Sequence, residues 1–413
     1  MHEPRASDPF EEAKAYFIEG LSCLEAGRYA DAEQCFLSSL EWQPRRVSTL
    51  INLAATQLEL SRPQDALRTA DQVLAIEADN IDAWFHRSTA LGLMDRNQEA
   101  LAGLEKVLAL DDGIAEPWFR RGQVLQSLKR PDQALQSYDR ALSLDPGLAQ
   151  AWSNRGGILQ ELGRPQEAAE SFGQAIAHGG DAELNGYYLA ATGAGSAPAS
   201  APSGYVRSLF DDYADQFDEH LVRVLGYRAH IALTRHLGRL VQARFESALD
   251  LGCGTGLCGP LLKPATKRLT GVDLSSRMLE KARGLAVYDR LVNADIIGHL
   301  AATSDVHDLI VAADVFIYVG DLEPVFRAAR RVMSPGGVFC FSVEIARSAS
   351  FELLPSLRYA HSESYLRGLA EAHGFGVLAA LREPLRNDQR DAIEGLFVYL
   401  RREAGDPRQL SAE

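Results

Sequence analysis

One large side chain returns at a fixed interval of 34 residues, at Tyr16, Leu50, Trp84, Trp118 and Trp152. Four residues after each anchor stands a small residue: Gly20, Ala54, Ser88, Gly122 and Gly156. Sixteen after each comes alanine, at Ala32, Ala66, Ala100, Ala134 and Ala168. Twenty after each comes a filler, at Phe36, Ala70, Leu104, Tyr138 and Phe172. Small residues let two helices approach closely, and Pro44 and Pro146 fall where the second helix of a pair must stop. A unit of this length cannot bury its apolar face alone, so the copies must stack.

These recurring positions resemble the tetratricopeptide repeat, a helix-turn-helix unit, over residues 13–182 in five copies. The second copy is degenerate at Leu50 and Ala70, and Asp112 and Gly180 stand where proline is expected. Such a resemblance implies an N-terminal all-α solenoid with a concave inner surface, closed by a cap beginning at Glu183–Ala191. That groove implies docking of a peptide or protein; the alternatives are bracing of a second domain or dimer formation. At their phases Trp84, Trp118 and Trp152 read as packing residues between helices.

Residues 192–204, TGAGSAPASAPSG, contain only Gly, Ala, Ser, Pro and Thr and read as a linker between domains. The chain of 413 residues carries a net charge of -14, unevenly spread. Residues 1–182 hold 28 acidic and 17 basic side chains, and 183–413 hold 28 and 25. This balance disfavours non-specific binding to nucleic acid or anionic membrane. Five cysteines (Cys23, Cys35, Cys253, Cys258, Cys340) without a C-x-x-C pair predict neither a disulfide framework nor a zinc knuckle. The first residues lack an apolar leader, and no uncharged apolar run approaches the ~18 residues of a membrane span. A cytoplasmic protein is expected.

Beyond the linker, strands are expected at 246–250, 268–273, 291–295, 308–312 and 338–343, with helices between, which is the pattern of a parallel sheet. Ligands of such a sheet sit beyond the carboxyl ends of its strands. The first strand runs into DLGCGTG, where Gly252, Gly254 and Gly256 let a ligand lie against bare backbone. The second ends at Asp273, placed to accept the hydroxyls of a ribose, and the third at Asp295 and Ile296, placed to meet the amine and face of a purine. Two cofactors could fill an adenosine site. A nicotinamide dinucleotide favours G-x-G-x-x-G, whereas this loop is G-x-G-x-G preceded by Asp250, which suits an amino group and a sulfonium better than a pyrophosphate.

ALDLGCGTG, LTGVDLSSRMLEKAR, NADI and SPGG, in that order, are similar to the motifs of class I S-adenosylmethionine-dependent methyltransferases over residues 205–402. The whole chain resembles a bacterial group of predicted tetratricopeptide-repeat methyltransferases, with matching stretches in SLFDDYADQFDEHL, AADVFIYVGDLEPVF, FSVE and RYAHSESYL. The resemblance implies a multidomain fold, the solenoid followed by an α/β Rossmann-like domain. It also implies S-adenosylmethionine contacts at Asp250, Gly252, Gly254, Asp273, Leu274, Met278, Asp295, Ile296 and Ala312, with Thr255 and Gly256 in the same loop. The fourth strand end lacks Asn/Asp-Pro-Pro-Tyr, so nucleobase and glutamine-amide acceptors are not expected; without an acidic cluster in either half, neither is a metal. Asp314, Phe316 and Tyr318 after strand four, Glu344 after strand five, and Arg358, Tyr359 and His361 are expected to line the acceptor pocket. His361 is a candidate base, or else a cap for the helix at 362–373. Residues 205–221 read as an amphipathic helix carrying Phe210, Tyr213 and Phe217. It is either a lid, with Tyr213 facing the sulfonium or the acceptor as a second catalytic candidate, or a helix packed on the sheet. The leading expectation is methyl transfer to a small molecule, carrier-bound intermediate or peptide. The rivals are a non-catalytic cofactor-binding scaffold and a nicotinamide-dependent oxidoreductase.

Overall fold

A computed structural model describes residues 8–219, 226–347, 350–388 and 391–404. It divides into two compact units, the boundary falling after Asn185. The first is a helical solenoid of consecutive antiparallel pairs: α1 (Pro9–Glu25) with α2 (Tyr29–Trp42), α3 (Val47–Glu59) with α4 (Pro63–Leu74), α5 (Ile81–Leu93) with α6 (Asn97–Leu110), α7 (Ala115–Ser127) with α8 (Pro131–Leu144), and α9 (Ala149–Glu161) with α10 (Pro165–Ala177).

The small positions are where each pair closes. A Cβ added at Gly20, Gly122 or Gly156 would lie 2.5, 2.4 or 2.6 Å from the ring of Phe36, Tyr138 or Phe172, so only glycine admits those rings. The alanines of the period, Ala32, Ala66, Ala100, Ala134 and Ala168, are wholly buried. The tryptophans are half-buried and carry a polar role beside packing. Trp84, Trp118 and Trp152 each donate their indole N–H to the carbonyl six residues earlier, at 2.9 Å, which ties each first helix to the preceding turn. The guanidinium carbons of Arg87, Arg121 and Arg155 lie 5.4, 5.8 and 5.7 Å from those rings.

The second unit is built on a nine-stranded sheet. β1 (Phe245–Leu251), β2 (Thr266–Asp273), β3 (Arg290–Asn293), β4 (His307–Ala312) and β5 (Met333–Ile345) are parallel in the order β3-β2-β1-β4-β5. All five expected strands are present, the fifth extended through the SPGG stretch. Beyond β5 the short pair β6 (Phe351–Leu353) and β7 (Tyr359–His361) continues at its carboxyl end. The antiparallel hairpin of β8 (Phe375–Asp388) and β9 (Asp391–Arg402) lies along the opposite edge of β5, where β9 pairs with Val338–Glu344. Alternate residues face opposite sides, as a pleated strand requires. Leu249, Ile310, Phe339 and Phe341 pack with α16 (Ile296–Ala302), α17 (Glu323–Val332) and α18 (Glu363–Ala372). Ala248, Leu309, Val338 and Cys340 pack with α13 (Ala229–Leu240) and α14 (Gly259–Leu262).

Residues 198–201 of the expected linker are hydrogen-bonded within the second unit. Ala201 N–H donates to the Tyr318 carbonyl at 2.9 Å, Gly320 and Asp321 N–H donate to the Ala199 carbonyl at 2.8 and 2.9 Å, and the Tyr359 hydroxyl donates to the Pro198 carbonyl at 2.8 Å. Their small, proline-bearing composition lets backbone lie flat against the loop after β4. The expected cap is also shared out differently: α11 (Ala182–Ala191) crosses the unit boundary, and Tyr187 is wholly buried among Tyr205, Tyr359 and Phe351 of the second unit. The five cysteines are free thiols. Among the described residues no helix is long and apolar enough to cross a membrane, and no cluster of metal-ligating side chains occurs.

Candidate cofactor and acceptor site

The turn after β1 depends on left-handed backbone at Gly252, Gly254 and Gly256, with φ of 61°, 54° and 93°. A Cβ at Gly252 would come 2.6 Å from Val315, so that position is closed to side chains twice over. Asp273, at the end of β2, fixes the turn: its Oδ2 accepts the Gly254 N–H at 2.8 Å and its Oδ1 the Ser275 N–H at 2.9 Å. Burial pushes its carboxyl up, and these N–H donors oppose the shift. Each oxygen retains a further lone pair for another donor. Asp295 is exposed and caps α16 through Gly298 N–H at 2.9 Å, with Ile296 behind it.

Asp250 behaves otherwise than expected. It is 1% exposed and accepts the Tyr288 hydroxyl at 2.6 Å, and burial raises its carboxyl to about 7. It supports the loop from the interior instead of presenting a charge on its open face.

Part of the expected contact set belongs to the core. Met278, Ala312, Phe316, Tyr359 and His361 are wholly buried, because helix and strand periodicity turns each inward against apolar neighbours. His361 donates its Nε2–H to the Gly320 carbonyl, 2.9 Å away, and lies parallel to the Tyr365 ring. Burial lowers it to about 4, so it is neutral near pH 7 and out of reach of an acceptor. Nor does it cap α18, whose N-cap is Ser362.

The aromatic segment before the sheet forms α12 (Ser203–Tyr213) followed by a turn; Leu221, in the expected helix, lies outside the described residues. Carboxylates fasten it to the glycine-loop side of the sheet. Ser275 Oγ donates to Asp211 and Thr255 Oγ1 to Asp218, both at 2.5 Å. Asp215 pairs with Arg277 at 2.7 Å and Lys281 at 2.9 Å, on α15 (Ser276–Gly284). On the other side Phe210 meets Tyr318 edge-on with centroids 5.5 Å apart, and Tyr213 meets Phe217 at 5.4 Å. The segment therefore joins the glycine loop to the region after β4.

There the sequence reading missed the central charge. Arg386, on β8 and 2% exposed in its side chain, binds Asp314 at 2.6 Å and Glu344 by a still shorter contact. Asp314 takes a left-handed φ of 59°, and its N–H donates to Ser342 Oγ at 2.9 Å. Its Oδ1 is buried without a hydrogen-bond partner. Burial raises Glu344, opposed by Arg386 and Arg358. Of the expected acceptor residues, Asp314, Tyr318, Glu344 and Arg358 are thus brought together. Arg386 and Tyr288 carried no motif that could have announced them.

Comparison with known proteins agrees with this division. Residues 249–341 match the model of a methyltransferase domain family, and residues 13–46, 115–148 and 149–177 match tetratricopeptide repeat models. A malonyl-[acyl-carrier protein] O-methyltransferase of Salmonella typhimurium is 29% identical over 43% of this chain and 69% of its own. A second protein of that name from Enterobacter lignolyticus is 32% identical over 32% of this chain and 53% of its own. A ubiquinone biosynthesis O-methyltransferase of Thiobacillus denitrificans is 30% identical over 26% of this chain and 48% of its own. The chain therefore spans only about half the length of the latter two. The crystal structure of MamA matches 38% of this chain and 93% of its own, at 24% identity and a TM-score of 0.35. The chain joins tetratricopeptide repeats to a methyltransferase domain of the S-adenosylmethionine-dependent kind.

Proposed function

We propose that the second unit binds S-adenosylmethionine across the ends of β1, β2 and β3 and transfers its methyl group to an oxygen of an acceptor held beyond β4 and β5. The observation that carries this reading is the side-chain-free cradle at Gly252, pinned through Gly254 to a carboxylate at the neighbouring strand end. Such a cradle suits a ligand lying on backbone, with Asp273 for ribose hydroxyls and Asp295 and Ile296 for the adenine, while Leu274 borders the same end of β2. When bound, the sulfonium supplies an electrophilic carbon, and the domain's task is to position, exclude water and stabilise charge. The segment carrying Phe210, Tyr213 and Phe217 covers this region and keeps water from it. Oxygen as the acceptor atom draws support from the relatives named above as O-methyltransferases.

The repeats, with 28 acidic and 17 basic side chains up to residue 182, then recruit the acceptor or a protein partner, and a basic or neutral segment suits them better than an acidic one. Calorimetric titration of the full chain with S-adenosylhomocysteine and, separately, NAD tests the cofactor assignment. Binding of the first alone is expected, and binding of NAD alone sinks it.

A further inference from the structure

Resting on that reading, we propose that Arg358 receives a carboxylate of the acceptor, and that the product is a methyl ester. Arg358 stands on a tight turn between β6 and β7. Leu357 N–H donates to the Leu354 carbonyl at 2.9 Å, Leu354 N–H to the Arg358 carbonyl at 2.8 Å, and the Tyr187 hydroxyl to the Leu357 carbonyl at 2.5 Å. With Leu357 left-handed at φ 60°, the backbone below the guanidinium is fixed from three sides.

Its charge acts on Glu344 and the nearby phenols through space but is not tied up in a pair. The two carboxylates of this corner, Asp314 and Glu344, are both engaged by Arg386. Among the described residues the Arg358 guanidinium makes no hydrogen bond and no ion pair, although the side chain is only partly exposed. A partly desolvated guanidinium presents planar, bidentate donors, and a carboxylate is the acceptor-borne group that matches them.

The neighbours point the same way. Burial pushes the phenols of Tyr205, Tyr213 and Tyr318 up, the last to about 12, with Arg358 opposing in each case. They are protonated hydrogen-bond donors at neutral pH and cannot take a proton from an acceptor. His361 is sealed in the core on a carbonyl. An alcohol, phenol or ammonium acceptor has a proton to lose, whereas a carboxylate is already ionised. In the step, a carboxylate oxygen forms a bond to the methyl carbon as the carbon–sulfur bond breaks. The bonding pair goes to sulfur, leaving a neutral thioether, and no proton moves.

The full-length protein is incubated with cell extract and S-adenosylmethionine labelled in its methyl group, and the labelled product is then treated with mild alkali. A methyl ester releases volatile labelled methanol; an ether, amine or thioether does not. The expected result is label that becomes volatile. Arg358→Gln is expected to lower incorporation at least about tenfold, the loss of one charge-assisted contact, with S-adenosylhomocysteine affinity unchanged, and Arg358→Lys to recover part of it. Alkali-stable label overturns the inference while leaving methyl transfer standing. If such label also disappears in Asp314→Asn, the acceptor is protonated and Asp314 is its base. Undiminished labelling by Arg358→Gln overturns the role of that residue. Absence of any transferred label overturns the methyl-transfer reading and this inference with it.

Discussion

The two units solve the placement of arginine in opposite ways. In the solenoid, Arg87 and Arg155 lie over tryptophan rings and pair with Asp71 and Asp139, acids that remain about half exposed. The arrangement is repeated, local and wet, so each copy contributes little. In the α/β unit Arg386 is unique in its surroundings, sealed, and shared by two carboxylates 72 and 42 residues away. Repetition distributes stability over many small terms, whereas a sheet concentrates it in a few contacts between distant segments.

Substitutions can break this contrast. Arg386→Met leaves Asp314 and Glu344 buried without a counterion, and a loss of about 3–5 kcal/mol in urea unfolding of the second unit is expected. A loss near zero would mean the corner hydrates freely. His361 offers a second probe through pH. Its folded value, about 4, lies below the ordinary 6.5, so the unfolded chain takes up the proton first as pH falls. Its contribution is whole above pH 6.5 and is lost toward pH 4, by about 3 kcal/mol at 1.36 kcal/mol per unit. His361→Asn should flatten that part of the stability profile without adding or removing a limb in the pH dependence of turnover. A limb that disappears would restore the histidine to the chemistry.

In the repeats, Gly122→Ala drives a Cβ into the Tyr138 ring and is expected to cost about 1–3 kcal/mol, read as a lowered unfolding midpoint of the solenoid. Arg155→Met should cost about 1 kcal/mol or less, since one cation–π contact and one partly exposed ion pair are lost. A cost as large as that at Arg386 would show the repeats to be less modular than their period implies.

The same difference governs what could be read from sequence. Contacts within the solenoid are local, so Gly156 and Phe172 announce their meeting sixteen residues apart and again in other copies. The strands of the second unit were legible from apolar runs, and Gly252 and Asp273 from their place at strand ends. What escaped were partners with no local signature. Arg386 sits in an ordinary hairpin strand, and Tyr288 reaches Asp250 across 38 residues. His361 read as a candidate base or helix cap in RYAHSESYL because nothing nearby shows that β7 tucks beside β5. The contacts of residues 198–201 were hidden for a different reason: small residues that pack no core still offer backbone, and backbone is what the loop after β4 uses.

That last feature sets where this chain can be cut or recombined. A truncation starting at Tyr205, the boundary that composition alone recommends, would strip four hydrogen bonds from the rim formed by Tyr318, Gly320, Asp321 and Tyr359, together with the tyrosine that steadies the turn bearing Arg358. A catalytic fragment, or a chimera with another upstream module, has to retain the chain from before Tyr187. The tract with the plainest sequence thus travels with the enzyme as part of its inheritance, and not as the tether by which modules are exchanged.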